Sequence, residues 1–367
     1  MKHYINCLTL LSISLFVFSC KESETDKGRE SAFVLLDAKS TGIDFANVLE
    51  ENEYFNYFNS KYIYNGAGLA IGDVNNDGLP DIYFNSSTGA NKLYLNKGNF
   101  QFEDISASAG VEALSGFKTG VAMVDINADG LLDIFVCRSN HPDPNMRNNL
   151  VFINQGDLTF KEQALTMGLR DEAFTTHVAF LDYDKDGDLD VFLISHPIDF
   201  DGQIKIKVKT NPITGENYRD RKAEDPAFSD RLFRNNGDGT FADVSKEAGV
   251  DYWGFGLGVA IGDFNEDGWP DIYVGNDFAE KDFLFINNQD GTFTERLEKF
   301  FRHTSENTMG IDLADFNNDG LEDLIALDML PEDNYRQKLL ATNMIQDRYY
   351  SLLHYGFGHQ IMRNVLQ

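Results

Sequence analysis

Short apolar segments, alternating or clustered over four to six residues, recur along the chain at the length and period of strands rather than helices. Gly68-Leu-Ala-Ile-Gly72, Gly120-Val-Ala-Met-Val124 and Gly258-Val-Ala-Ile-Gly262 each lead into a polar stretch. A second apolar run follows it, in Ile82-Tyr-Phe84, Ile134-Phe-Val136, Val191-Phe-Leu-Ile194 and Ile272-Tyr-Val274. Third and fourth runs come next, as in Lys92-Leu-Tyr-Leu-Asn96 then residues 100–105, and Arg231-Leu-Phe-Arg-Asn235 then residues 240–244. Turn residues such as Asn236-Gly-Asp-Gly239 and Asn288-Gln-Asp-Gly291 separate them. The repeating unit is therefore four strands.

The polar stretch between first and second strands is one nine-residue pattern, present at 73–81, 125–133, 182–190, 263–271 and 315–323. The first positions lie 52, 57, 81 and 52 residues apart. A period near 52 with four strands is that of a propeller blade. The expected fold is an all-β propeller over residues 41–367, with blades near 61–111, 112–169, 170–250, 251–300 and 301–367.

The loop chemistry points to calcium. Ca²⁺ takes roughly 6 to 8 hard oxygen ligands, and positions 1, 3, 5 and 9 supply side-chain oxygens in every copy. These are Asp73, Asn75, Asp77 and Asp81; Asp125, Asn127, Asp129 and Asp133; Asp182, Asp184, Asp186 and Asp190; Asp263, Asn265, Asp267 and Asp271; and Asp315, Asn317, Asp319 and Asp323. The backbone carbonyl of position 7, at Leu79, Leu131, Asp188, Trp269 and Leu321, completes each set, giving up to five ions. Glycine at position 6 permits the sharp turn. An EF-hand is excluded, because its bidentate Glu at position 12 is replaced by Phe84, Val136, Leu193, Val274 and Ala326. Dockerin and thrombospondin-type loops pack much closer together than a 52-residue period allows.

Composition changes the picture in two ways. The formal net charge is −28, which argues against nucleic acid or an acidic lipid surface as partner. With 42% hydrophobic residues and 30 Phe, the chain is no solvated acidic tail, so the carboxylates need a ligand such as a cation.

The loops, the Gly-Val-Ala-Ile-Gly-Asp lead-in and the Asp-Ile-Tyr exit resemble FG-GAP/VCBS repeats, the calcium-binding blades of integrin-α-like propellers. Tyr64-Asn-Gly-Ala-Gly-Leu-Ala-Ile-Gly-Asp73, Phe102-Glu-Asp-Ile-Ser106, Ala109-Gly-Val111 and Asp328-Met-Leu-Pro-Glu-Asp333 are similar to bacterial proteins carrying such blades ahead of an ASPIC/UnbV domain. The resemblance speaks to fold, and the fold hosts many functions.

Two departures interrupt the period. Blade 3 carries an insertion near residues 196–229 with Lys205, Lys207, Lys209, Arg219, Arg221 and Lys222, which reads either as a ligand-contacting loop or as a surface decoration offsetting nearby carboxylates. In blade 5, residues 331–355 place Tyr335, Leu339, Leu340, Ile345, Tyr349, Leu352 and Leu353 at helical spacing, so a helical insertion is expected. Asn364-Val-Leu-Gln367 then restarts a third strand, leaving the fifth blade incomplete. Either an early strand near residues 43–49 closes the ring or the chain is the N-terminal piece of a longer protein; the pattern favours the second.

The first nineteen residues have the layout of a bacterial signal peptide, and Val17-Phe-Ser-Cys20 resembles a lipobox with Cys20 as the lipidated residue. Phe18 departs from the small residue usual there, so a plain secretory peptide is the alternative. Residues 20–40 read as a tether. The expected location is the cell envelope, as a surface-exposed outer-membrane lipoprotein held by its lipid anchor alone, or else secreted or periplasmic. Cys137 is then without a disulfide partner.

No Gly-x-Ser-x-Gly, Cys-x-x-Cys or His-Glu-x-x-His motif is present. Ligand-site candidates come instead from the propeller face opposite the acidic loops, where His141, His196, Trp253, Phe255, Asp277 and Phe278 should gather. Aromatic and mixed polar chemistry there suits a protein or glycan, in a calcium-stabilised binding or adhesion module. The rival reading is a propeller-fold polysaccharide lyase or glycosidase, for which no catalytic residue is assigned.

Overall fold

The computed structural model describes residues 33–53, 56–198, 207–221, 226–278, 280–340 and 346–367. The leader, Cys20, most of the tether, Lys205, Lys222 and Ile345 lie outside the described residues. Residues from Ala38 to Gln367 form one compact unit.

Five antiparallel blades make up the propeller. Blade 1 comprises Leu69–Gly72, Asp81–Phe84, Lys92–Asn96 and Phe102–Asp104. Blade 2 comprises Phe117–Val124, Asp133–Ser139, Leu150–Asn154 and Phe160–Glu162. Blade 3 is built from Thr175–Leu181, Asp190–Ser195, Arg231–Asn235 and Phe241–Asp243, and blade 4 from Gly256–Gly262, Asp271–Asn276, Phe283–Asn287 and Phe293–Glu295. Among the described residues blade 5 has three strands, Gly310–Ala314, Asp323–Leu327 and Val365–Leu366, the last paired antiparallel on the second as the restarted pattern implies.

The apolar alternation is spent between blades. Ala70, Tyr83 and Leu93 of blade 1 pack on Val121, Ile134, Val136 and Phe152 of blade 2, and three further clusters repeat this contact down to blade 5. Glycine makes the approach near the axis possible: a Cβ on Gly120 would stand 2.6 Å from the Thr176 carbonyl oxygen, and one on Gly68 2.8 Å from the Val121 nitrogen. First strands pack in succession from blade 1 to blade 5. Among the described residues, those of blades 1 and 5 do not pack on one another in this way. Leu69 and Ile71 of blade 1 accordingly stay 51% and 60% exposed, whereas Val121, the counterpart of Leu69, is 6% exposed.

Residues 43–49 form no strand, so the early-strand closure does not occur. That segment lies against blade 1 through side chains: Phe45 stacks on Phe84 at 4.7 Å, and the Tyr94 hydroxyl donates to Asp44 at 3.0 Å.

The two insertions meet each other. In blade 3 a hairpin of Val208–Thr210 and Asn217–Arg219 leaves the blade, and in blade 5 the helices Asn334–Leu340 and Gln346–His354 occupy the expected helical stretch. The Asn217 amide donates to the His354 carbonyl at 2.9 Å. Arg219 and Arg221 both pair with the buried Glu280, at 2.9 and 2.8 Å, and Arg219 lies 4.0 Å from the Trp253 ring centre. The arginines of the insertion therefore anchor it to blade 4 instead of facing a ligand. Among the described residues no helix is long and apolar enough to cross a membrane.

Candidate functional site

The five acidic loops share one hydrogen-bond plan. At position 1, one oxygen of Asp73 accepts the Asp77 N–H at 3.1 Å and the other the Gly78 N–H at 2.7 Å. Asp125, Asp182, Asp263 and Asp315 do the same. The position-5 carboxylates of Asp77, Asp129, Asp186, Asp267 and Asp319 each accept from the amide of position 7, at Leu79, Leu131, Asp188, Trp269 and Leu321. Position 9 ties the loop to its blade: Asp81 accepts from Val74 at 2.9 Å and from Asn96, in the third strand, at 2.7 Å. Asp133, Asp190 and Asp271 repeat both bonds, and Asp323 repeats the first. Position 6 is glycine for backbone reasons alone, since Gly130 and Gly187 have φ of +87° and +97° and an added Cβ would meet nothing within 4 Å.

Position 3 separates the third loop from the rest. Asn75, Asn127, Asn265 and Asn317 each donate to the position-5 carboxylate, at 3.0, 3.0, 2.9 and 3.0 Å. Asp184 has no such proton to give. Its Oδ1 is buried and unpartnered, and oxygens of Asp182, Asp184 and Asp190 all lie within 4.8 Å of one another. Burial, followed by the neighbouring carboxylates, pushes Asp190 up to about 7; burial likewise carries Asp133 and Asp271 up to about 6. An all-oxygen set in which one carboxylate oxygen is buried without a partner fits a hard divalent cation such as calcium.

The other face differs in kind. First strands begin, and second strands end, at the side remote from the acidic loops, and there the blades surround an axial cavity of ≈ 250 Å³. Its wall includes Thr119, Asn140, His177, His196, Leu257 and Met309, drawn from blades 2 to 5, while Tyr62, Gly66, Gly68 and Leu69 come from the segment leading into blade 1 and its first strand. A neighbouring hollow of ≈ 340 Å³ shares Tyr62 and His196 and adds Phe58, Phe255 and Phe278.

Five of the six ligand-face candidates come together here. His196 lies 5.2 Å from Phe255 between ring centres, Phe255 lies 4.9 Å from Phe278 and 5.9 Å from Trp253, and Tyr62 joins them 4.0 Å from His196. The Tyr62 hydroxyl donates to Asp277, which is buried and whose carboxyl is raised by that burial. Trp253 is buried beneath Arg219, so it supports the site without facing solvent. His141 stands apart: its Nδ1 accepts the Asp143 N–H at 3.0 Å, its carbonyl takes Arg147, and it does not line the axial cavity. Sequence reasoning missed Tyr62, Asn140 and His177. The signal for His177 was present, because it interrupts the glycine lead-in that Gly68, Gly120 and Gly258 keep.

Cys137 is buried in the core of blade 2, and burial raises its thiol, so it is held protonated and inert.

Comparison with known proteins agrees with this architecture. Residues 73–136, 125–193, 225–274 and 263–326 match the model of the FG-GAP-like repeat. Cartilage acidic protein 1 of Xenopus tropicalis is 29% identical over 262 residues, covering 70% of this chain and 36% of that protein. The Homo sapiens protein of the same name is 27% identical over 226 residues, covering 58% and 30%. The chain thus spans about a third of the length of these curated relatives. Among solved structures, an Agrocybe aegerita lectin described as recognising non-reducing terminal N-acetylglucosamine aligns with a TM-score of 0.38 at 18% identity, over 70% of this chain and 60% of the lectin. The V. cholerae biofilm matrix protein Bap1 aligns with a TM-score of 0.35 at 15% identity, over 71% and 34%. The repeat matches run through more than half of the chain and coincide with its acidic loops and blades, and the chain belongs to the FG-GAP-like repeat family.

Proposed function

We propose that this propeller is a calcium-stabilised binding module whose recognition surface is the face opposite the acidic loops. The carrying observation is the division of labour between the faces. One face concentrates carboxylates whose hydrogen bonds close their own loops, and the other holds a cavity with no Asp or Glu among its described lining residues, beside an aromatic hollow that Lys61 also lines. Up to five calcium ions, held by positions 1, 3, 5 and 9 and the position-7 carbonyl, would neutralise the first face and stiffen the loops that begin each second strand. The ligand is a protein or glycan. The lipobox-like segment ending at Cys20 supports tethering in the cell envelope through a lipid anchor, and the similarity to ASPIC/UnbV-associated bacterial proteins belongs to the same reading.

An array of polysaccharides and matrix proteins tests the assignment, with a bulky polymer attached through Asn59→Cys on the proposed face or Glu266→Cys on the loop face. The buried Cys137 does not compete for the label. Binding blocked at Asn59 and kept at Glu266, with no new reducing ends released, is the expected result. Blocking from the loop face, or cleavage of a bound polysaccharide, would replace this reading with a loop-face site or with the lyase and glycosidase alternative.

A further inference from the structure

The axial cavity contains polar atoms that the fold leaves unsatisfied. Asn140 is 3% exposed, and both its amide nitrogen and its amide oxygen are buried without a hydrogen-bond partner. His196 is also 3% exposed, and its Nδ1 has no partner. Both side chains line the cavity. A buried unpaired polar group costs about 1 to 3 kcal/mol, and three such atoms on two residues that line one hollow are retained at a cost that a ligand drawing them into hydrogen bonds would recover.

We infer that the axial cavity is a subsite for one uncharged sugar ring, the terminal unit of a glycan, held by hydrogen bonds to Asn140 and His196. This deepens the binding reading given above and rests on it. Three features select the ligand class. The cavity, at ≈ 250 Å³, falls below the roughly 300 to 1,000 Å³ typical of drug-sized ligands and suits a single ring. Among the described residues no Asp, Glu, Lys or Arg lines it, although the chain carries a net charge of −28, so the described wall offers an ionic ligand no counter-charge. The unpaired set is mixed: the Asn140 nitrogen donates, the Asn140 oxygen accepts, and His196 Nδ1 accepts because the ring's other nitrogen bonds the backbone of Phe255. Neighbouring hydroxyls, each both donor and acceptor, answer such a set; an extended peptide would present its groups along a strand edge instead.

His196 supplies an acceptor at all ordinary pH. Burial pushes its imidazole down to about 3, and the groups facing it are the aromatic rings of Tyr62, Phe255 and Phe278 and the Phe255 backbone. Asp277 reaches this cluster only through the Tyr62 hydroxyl.

The test is a titration of the calcium-loaded chain with a panel of neutral methyl glycosides, followed by ligand-observed magnetic resonance and calorimetry. Asn140→Asp keeps the shape and tolerates the residue's φ of +54° while removing the donor; Asn140→Gly removes the side chain without straining that backbone. At least one glycoside should bind, with affinity unchanged from about pH 7 to pH 8, where His196 and His177, also lowered by its burial, are both neutral. Both variants should weaken it by roughly tenfold or more, and Asn140→Gly, which removes the unpaired amide, should melt no lower than the parent. Equal affinity in parent and variants, or no glycoside binding while a ligand blocked at Asn59 still binds, overturns the axial subsite and leaves the wider recognition face standing. If the array ligand is not blocked at Asn59 either, the recognition face itself fails. Ordered water alone between Asn140 and His196 in a crystal soaked with the panel would also overturn the subsite.

Discussion

Where each second strand ends, one side chain closes the turn by accepting a backbone N–H. Asn91 accepts from Ser86 at 2.9 Å, Asn149 from Arg138 at 3.0 Å, Asp230 from Ser195 at 2.9 Å, Asp282 from Asn276 at 2.8 Å and Asn364 from Asp328 at 2.8 Å. The acid in blade 3 differs from its counterparts. Asp282 places its second oxygen between the Tyr273 and Thr308 hydroxyls, but the second oxygen of Asp230 is buried without a partner. Burial raises the Asp230 carboxyl well above the ordinary range. A carboxyl raised in the fold contributes stability that is complete below its unfolded pKa and is lost as pH rises through the folded value. Asp230→Asn, which copies blades 1 and 2, should therefore stabilise the protein at pH 8 by about 1 to 3 kcal/mol and much less near pH 4. Melting curves of parent and variant at the two pH values check this; a gain of equal size at both would contradict the titration argument. Asn140 and Tyr62 were not legible at this scale, because an asparagine after a strand and a tyrosine in a turn are ordinary until the fold shows one unpaired in a cavity and the other donating to Asp277.

Strands were the most legible elements, since a period of two in side-chain direction and a period near 52 along the chain reinforce one another. Parity also separates the two sides of each first strand. Val121 of blade 2 is packed into the contact with blade 1, while Leu69, at the same strand position of blade 1, stays half exposed among the described residues. Val121→Ala should cost about 1 to 3 kcal/mol and Leu69→Ala no more than ~0.5 kcal/mol, although Leu69 loses more carbon. Chemical denaturation of both variants provides the comparison, and equal losses would mean that Leu69 is covered. The inserted hairpin was less legible. Its basic residues read in sequence either as a ligand-contacting loop or as a surface decoration, but burial of Arg219 and Arg221 on Glu280 depends on a partner about 60 residues away that no local pattern reveals.

At the scale of the whole molecule, the acidic loops and the blades explain one another. Every second strand starts from a position-9 aspartate, and in the first four blades that residue also fastens the third strand, so an ion held in the loop would brace the blade behind it. Neighbouring loops are linked as well, through Asn76 to the Gly130 carbonyl at 3.0 Å, and blades through Asn154 to the Val74 carbonyl at 2.8 Å. Loosening one loop should thus be felt by its neighbours. A calcium site of millimolar to tenth-millimolar affinity adds ~1.4 to ~2.7 kcal/mol at about 10 mM free ion, and several sites add in proportion. The most direct measurement is the melting temperature of the metal-stripped chain titrated with Ca²⁺, beside Asp184→Ala, which removes a ligand from the loop with the unpartnered oxygen. The account predicts a melting temperature that climbs with millimolar Ca²⁺, returns to its starting value on chelation, and climbs less in the variant; a melting temperature indifferent to Ca²⁺, with no calcium retained after dialysis, would contradict it.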